Sequence, residues 1–159
     1  MYEKYEQFAG IVRGDAAITP YLRDTMLEGD PDLVVRPRDL QELKEVVRLC
    51  NTDRLPVTIC GGQTSMTGAS VALGGALVAT EKLNKIKNIE EQGNRWIATA
   101  EPGVLLADFK KHLEEQGFFY PMHPTSVNEA FLGATVATNA TGDDTYKYGP
   151  TRRWVKRLK

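Results

Sequence analysis

The stretch Gly61-Gly62-Gln63-Thr64-Ser65-Met66-Thr67-Gly68 carries the sharpest local chemistry in the sequence. Gly61 and Gly62 open backbone conformations closed to other residues and let main-chain N–H groups approach an anion, while Gln63, Thr64 and Ser65 add short donors. Such a nest suits a pyrophosphate. No lysine follows the glycines, so the loop is not of the mononucleotide-kinase type, and the G-x-G-x-x-G spacing that opens a dinucleotide-binding helix is missing. A plain glycine-rich turn between two strands satisfies the same composition, and taken alone the loop leaves both readings open.

A second cluster runs from Tyr120 to Gly149 and contains PMHPTS, then GATVATNATG, then KYG. Its small residues permit close approach to a flat ligand, although a short helix over residues 132–139, packed through Gly133, Ala134 and Ala137, explains them equally well. His123 stands between Pro121 and Pro124 in a stiffened loop, whereas His112, beside Lys111, reads as a surface residue on a helix flank. No Ser/His/Asp set, carboxylate pair or metal cluster emerges, so no catalytic residue is assigned and any redox chemistry has to come from a cofactor. Cys50 and Cys60 lie ten apart without zinc or CxxC spacing and read as reduced core residues.

These residues need a scaffold, and the composition supplies one. With 159 residues, 42% hydrophobic and 26% charged, the chain fits one domain with a real core; 14 Gly and 8 Pro imply many tight turns. A net charge of -1 offers no general attraction to nucleic acid, and no stretch approaches the about 20 apolar residues of a membrane helix. Residues 1–10 lack the apolar run of a secretory signal, which makes the cytoplasm the expected location.

Tyr5, Phe8, Ala9 and Val12 recur at helical spacing and predict an N-terminal amphipathic helix ending near Gly14. Leu33 to Val35 predicts a strand, Asp39 and Glu42 a capping box, and Leu43, Val46, Val47 and Cys50 the apolar stripe of the helix that follows. Val57 to Cys60 predicts a buried strand, which completes a β-α-β unit and delivers the chain into the glycine loop. Further strands are expected at residues 76–80 and 95–100, with a helix between Leu105 and Gln116 that stops at Gly117. The fold class expected is α+β, with one small parallel layer over residues 33–80 and a second sheet beginning near Arg95.

In order along the chain come VVRP at 34–37, the glycine loop, TEKLNKI at 80–86, EPGV at 101–104 and the region from PMHPTS to KYG. In these five motifs the chain resembles the FAD-linked oxidase family, whose FAD domain is shared with vanillyl-alcohol oxidase and p-cresol methylhydroxylase. The likeness spans Asp24 to Lys159 and is strongest toward the branch of glycolate oxidase and D-lactate dehydrogenase.

The resemblance implies an FAD-binding domain of the p-cresol methylhydroxylase type, made of two small α/β subdomains of which the second is incomplete. Residues 1–32 would then form a helical lead-in and 33–159 the N-terminal part of that domain, with TRRWVKRLK beginning a further strand. It implies that Gly61, Gly62, Gln63, Thr64, Ser65 and Gly68 wrap the FAD pyrophosphate. Pro121, Thr125, Ser126, Gly133, Ala137, Thr138, Asn139 and Gly142 would line the flavin and its ribityl and adenosine flanks, with Tyr148 and Gly149 nearby. Three positions depart from the family pattern: Cys60 where relatives often carry Arg, His123 where they often carry Asp, and Ala134 where a second Gly is usual. Neither histidine falls in the glycine loop, so the FAD is expected to be non-covalent.

The function implied is oxidation of a 2-hydroxy acid by hydride transfer to FAD in a parent enzyme, with this chain alone not competent. The alternative is a non-catalytic nucleotide-binding half-domain completed by another polypeptide through an exposed strand edge.

Overall fold

The computed structural model describes residues 2–159, which divide into two compact units, one ending at Leu83 and the other running Asn84–Lys159. The mixed α and β architecture agrees with the expected fold class.

The first unit is built on a four-stranded sheet. Its strands are β1 (Ile11–Val12), β2 (Leu33–Val35), β3 (Val57–Cys60) and β4 (Ala76–Ala79), in the order β1-β2-β4-β3. β4 runs parallel to both β2 and β3, and β1 pairs antiparallel to β2. Helix α1 (Leu40–Asp53) is the crossover between β2 and β3. Asp39 caps it as the spacing predicts, its Oδ1 accepting from the Glu42 N–H at 2.9 Å, but the Glu42 carboxylate turns to the Arg38 N–H and side chain instead of closing a reciprocal box.

The strand register sorts the core onto two faces. Leu33, Val35, Ala76 and Val78 pack with Val46 and Cys50 of α1 and with Tyr5 and Phe8, while Val34, Leu77, Ala79 and Cys60 pack with Ile11, Ile18 and Tyr21. Both faces of β2 and β4 are thus buried, which is why these strands are uniformly apolar.

The expectations for β3 and for the N-terminal helix fail for one reason, the place of each segment in the sheet. β3 is an edge strand, so Val57 and Ile59 are exposed, Ile59 by 52%, and only Cys60 is fully buried. The N-terminal helix is a 3-10 helix at Glu3–Phe8 that stops where Ala9 turns left-handed (φ 52°), and Ile11 then joins the sheet. Residues 2–32 supply a strand, two 3-10 helices and core side chains. Tyr5 Oη donates to Asp53 Oδ2 at 2.8 Å, and this bond ties the chain start to the end of α1. Val47, expected in the apolar stripe of α1, is 43% exposed.

The second unit opens with an antiparallel hairpin of β5 (Ile86–Gln92) and β6 (Arg95–Ala100), turned at Gly93 with φ 65°. β5 has no counterpart among the strands expected from sequence, because Lys87, Asn88, Glu90, Glu91 and Gln92 are solvent-facing and leave only Ile86 and Ile89 as an apolar signal. Helix α2 (Leu106–Glu114) packs Phe109 and Leu113 with Val104 onto that hairpin, and the helix ends before Gly117 (φ 82°) as expected. Short helices follow at α3 (Leu132–Ala137) and α4 (Thr145–Tyr148). The basic terminal segment is not a strand. Thr151–Trp154 form a 3-10 turn, with Thr151 buried and donating to the Ala140 carbonyl at 2.8 Å.

Candidate functional site

The glycine loop leaves the C-terminal end of β3 and returns to β4 through residues 61–75. Residues 61–65 are half-buried, yet the backbone N–H groups of residues 61–66 donate to no protein acceptor among the described residues. Half-buried N–H groups without a protein partner are open to solvent or to a ligand. Gln63 takes the left-handed conformation (φ 54°), and its Nε2 donates to the Arg23 carbonyl at 2.9 Å. Ser65 Oγ accepts from the Thr67 N–H at 3.1 Å, and the Ser65 carbonyl accepts from the Thr25 N–H at 3.3 Å. Side chains and carbonyls thus hold residues 61–66, which leaves the N–H groups of those six residues available to an anion.

The anchor of this loop is Asp24, a residue outside the motifs that carry the sequence signal. Buried at 7% exposure, it accepts from Met26 and Leu27 N–H through Oδ1, each at 2.9 Å, and from Gly68 N–H through Oδ2 at 2.8 Å. Burial alone would raise its carboxyl, but these three backbone donors outweigh it and hold the group below the usual carboxylate range. Gly68 sits at φ 74° with the Leu27 side chain where a Cβ would stand. The only sequence signal was an Asp opening a turn, a weak one.

The remaining predicted site residues lie in the second unit. Pro121 is buried, Ser126 half-buried, and Thr125 exposed. Residues 102–107 and 127–133 are zipped together by Leu106 N–H to Ala130 O, Ala107 N–H to Val127 O, Leu132 N–H to Val104 O and Gly133 N–H to Pro102 O, at 2.8–3.1 Å. A Cβ on Gly133 would run into Pro102, so the first turn of α3 carries glycine at that position. Residues 132–137 are the short helix; Ala137 at its end and Thr138 just beyond are exposed. Asn139 is left-handed (φ 49°), its Oδ1 accepting from the Arg152 N–H at 3.0 Å. Gly142 lies directly against the His123 carbonyl, which a Cβ would strike. Tyr148 and Gly149 close α4 and the turn after it.

His123 is exposed and His112 shares a 2.8 Å contact with Gln116 on the flank of α2. Cys50 and Cys60 are buried free thiols, and burial, reinforced by Glu81, pushes the Cys60 thiol up to about 12. Among the described residues there is no cluster of three His, Cys, Asp or Glu that could hold a metal, and no helix is long and apolar enough to cross a membrane.

A parallel β-α-β layer whose last strand feeds a loop of unpaired N–H groups is an arrangement suited to nucleotide-binding proteins, which take an anion at the carboxyl ends of the strands. Residues 31–159 match the family model described as FAD binding domain, so the chain belongs to that family and its cofactor is FAD. It is 33% identical to a D-lactate dehydrogenase of Anaerostipes hadrus over 99% of this chain and 34% of that protein. Glycolate oxidase subunit GlcD of Bacillus subtilis is likewise 33% identical, over 79% of this chain and 26% of its own length. The 6-hydroxy-D-nicotine oxidase of Arthrobacter nicotinovorans shares the fold, with a TM-score of 0.74 at 22% identity over 91% of this chain and 31% of that one. The chain thus spans about a third or less of the relatives it matches. The fold is that of the p-cresol methylhydroxylase type of FAD-binding domain.

Proposed function

We propose that this chain is the FAD-holding part of a flavin-dependent dehydrogenase or oxidase acting on a small 2-hydroxy acid of the glycolate or D-lactate type. The observation that carries the cofactor end of this reading is the run of free N–H groups at residues 61–66, most of it half-buried. The substrate end is supported by the likeness to D-lactate dehydrogenase and glycolate oxidase subunit GlcD.

Residues 61–66 direct their N–H groups to the FAD diphosphate, Asp24 and Gln63 keep that loop in shape, and Gly68 ends it. Pro121, Thr125, Ser126, Gly133, Ala137, Thr138, Asn139 and Gly142 line the rest of the cofactor, their small side chains allowing close approach to a planar ring. The chemistry that FAD supplies when bound is acceptance of a hydride from the hydroxyl-bearing carbon. Attachment is non-covalent, since no His or Cys lies in residues 61–68 and both cysteines are buried.

The full-length protein, purified without added cofactor, is expected to show a flavin spectrum that D-lactate, glycolate or D-2-hydroxyglutarate bleaches under anaerobic conditions. Gly62→Asp is expected to abolish the colour, because it sets a carboxylate beside phosphate. Wild-type colour without bleaching by any of the three acids would remove the substrate assignment, and undiminished FAD affinity in Gly62→Asp would remove the loop assignment. A second reading, a non-catalytic half-domain completed by another polypeptide, is favoured by the exposed Val57 and Ile59 on edge strand β3. It requires colourless protein that gains order with a second chain.

A further inference from the structure

Lys110, on α2, is a half-buried cation with no ion pair at contact distance among the described residues. Its ammonium donates to the Tyr120 carbonyl at 3.0 Å and the Met122 carbonyl at 2.9 Å, and lies 3.5 Å from His123 Nδ1. An ammonium has three donors, and here they meet three residues of one short segment, Tyr120, Met122 and His123. Regular structure does not hold this segment, which lies between α2 and α3 in no helix or strand.

The opposite side of the same segment is also fixed. The His123 carbonyl accepts from the Asp143 N–H at 3.4 Å and rests against Gly142, while Pro121 and Met122 are buried. Pro124 then starts a turn, its carbonyl accepting from the Val127 N–H at 3.0 Å, and this turn displays Thr125 and Ser126. The position of these two residues therefore follows from where 120–124 is clamped.

We propose that Lys110 is a positioning residue for FAD: by bridging two loop carbonyls it fixes the 120–126 segment in the form that receives the cofactor. The proposal rests on the reading above that Pro121, Thr125 and Ser126 line FAD. Charge-assisted bonds to two carbonyls are stronger than neutral ones, and an apolar side chain of similar length keeps the packing of the lysine stem while removing both. Lys110 touches no reacting atom and acts only through the loop.

The test uses the full-length flavoprotein with Lys110→Met and Lys110→Gln, beside a Thr125→Val/Ser126→Ala variant. FAD affinity is read by flavin fluorescence quenching, the flavin environment by visible circular dichroism, and loop order by amide exchange at residues 121–126. Lys110→Met is expected to raise the FAD Kd about tenfold, with altered visible dichroism and faster exchange confined to the loop. Lys110→Gln, too short to span both carbonyls, is expected to move in the same direction and serves if the methionine variant does not fold. Wild-type affinity and dichroism in the folded Lys110 variants, with a loss in Thr125→Val/Ser126→Ala, would overturn the role of Lys110 and leave the cofactor-lining reading standing. Unchanged FAD affinity in all three variants would overturn both.

Discussion

Asp24 gathers three backbone N–H groups onto one buried carboxylate and so links the turn at residues 24–27 to Gly68. Its carboxyl is held below the ordinary range, so the folded state binds its proton more weakly than the unfolded state does. The stabilisation is therefore complete above the unfolded carboxylate value and fades as pH falls through the lowered folded value. Asp24→Ala leaves three donors without their acceptor and is expected to cost about 2 kcal/mol at neutral pH. Thermal melts between pH 3 and 7 should show wild type and variant converging at the acid end, and parallel curves would mean that Asp24 does not carry this acid sensitivity. FAD affinity should fall in the same variant, because Gly68 loses its anchor.

At the scale of elements, the caps were legible and the sheet positions were not. Asp39 caps α1 as its spacing to Glu42 suggests, and Asp39→Ala is expected to lower stability by about 1 kcal/mol while leaving FAD affinity unchanged. Chemical denaturation with FAD titration on the same samples checks both halves of that statement. β3, by contrast, has the β-branched run of an interior strand and yet lies on an edge, since composition reports strand propensity and not the number of neighbours. β5 is a strand with few β-forming residues, held by its hairpin partner β6 and by the packing of Ile86 and Ile89. The basic tail was expected as a strand from Trp154, Val155 and Leu158, but Thr151 docks on Ala140 and Asn139 accepts the Arg152 N–H, which curls the segment into a 3-10 turn.

For the molecule as a whole, cofactor and stability are linked by mass action. A ligand that binds only the folded state adds about 2.7 kcal/mol at a hundredfold excess over Kd, so the melting temperature of the full-length protein should climb steadily with FAD concentration. Denaturation should release all the flavin, given that neither histidine lies in the glycine loop and that the two cysteines are buried. Flavin fluorescence migrating with the polypeptide on a denaturing gel would contradict non-covalent attachment.

Local chemistry along the chain determined the β-α-β order, the capped helix and the glycine loop, because apolar spacing, a capping carboxylate and glycine freedom act over a few residues. The resemblance in five ordered motifs likewise rested on residues adjacent in sequence, and the family match over residues 31–159 agrees with it. Asp24 and Lys110 belong to the tertiary structure alone. One is 44 residues from the glycine whose N–H it accepts, and the other meets carbonyls 10 and 12 residues away. Backbone donors and acceptors carry no side-chain signature, so a charge that serves them looks in sequence like any surface Asp or Lys until the fold brings the two together.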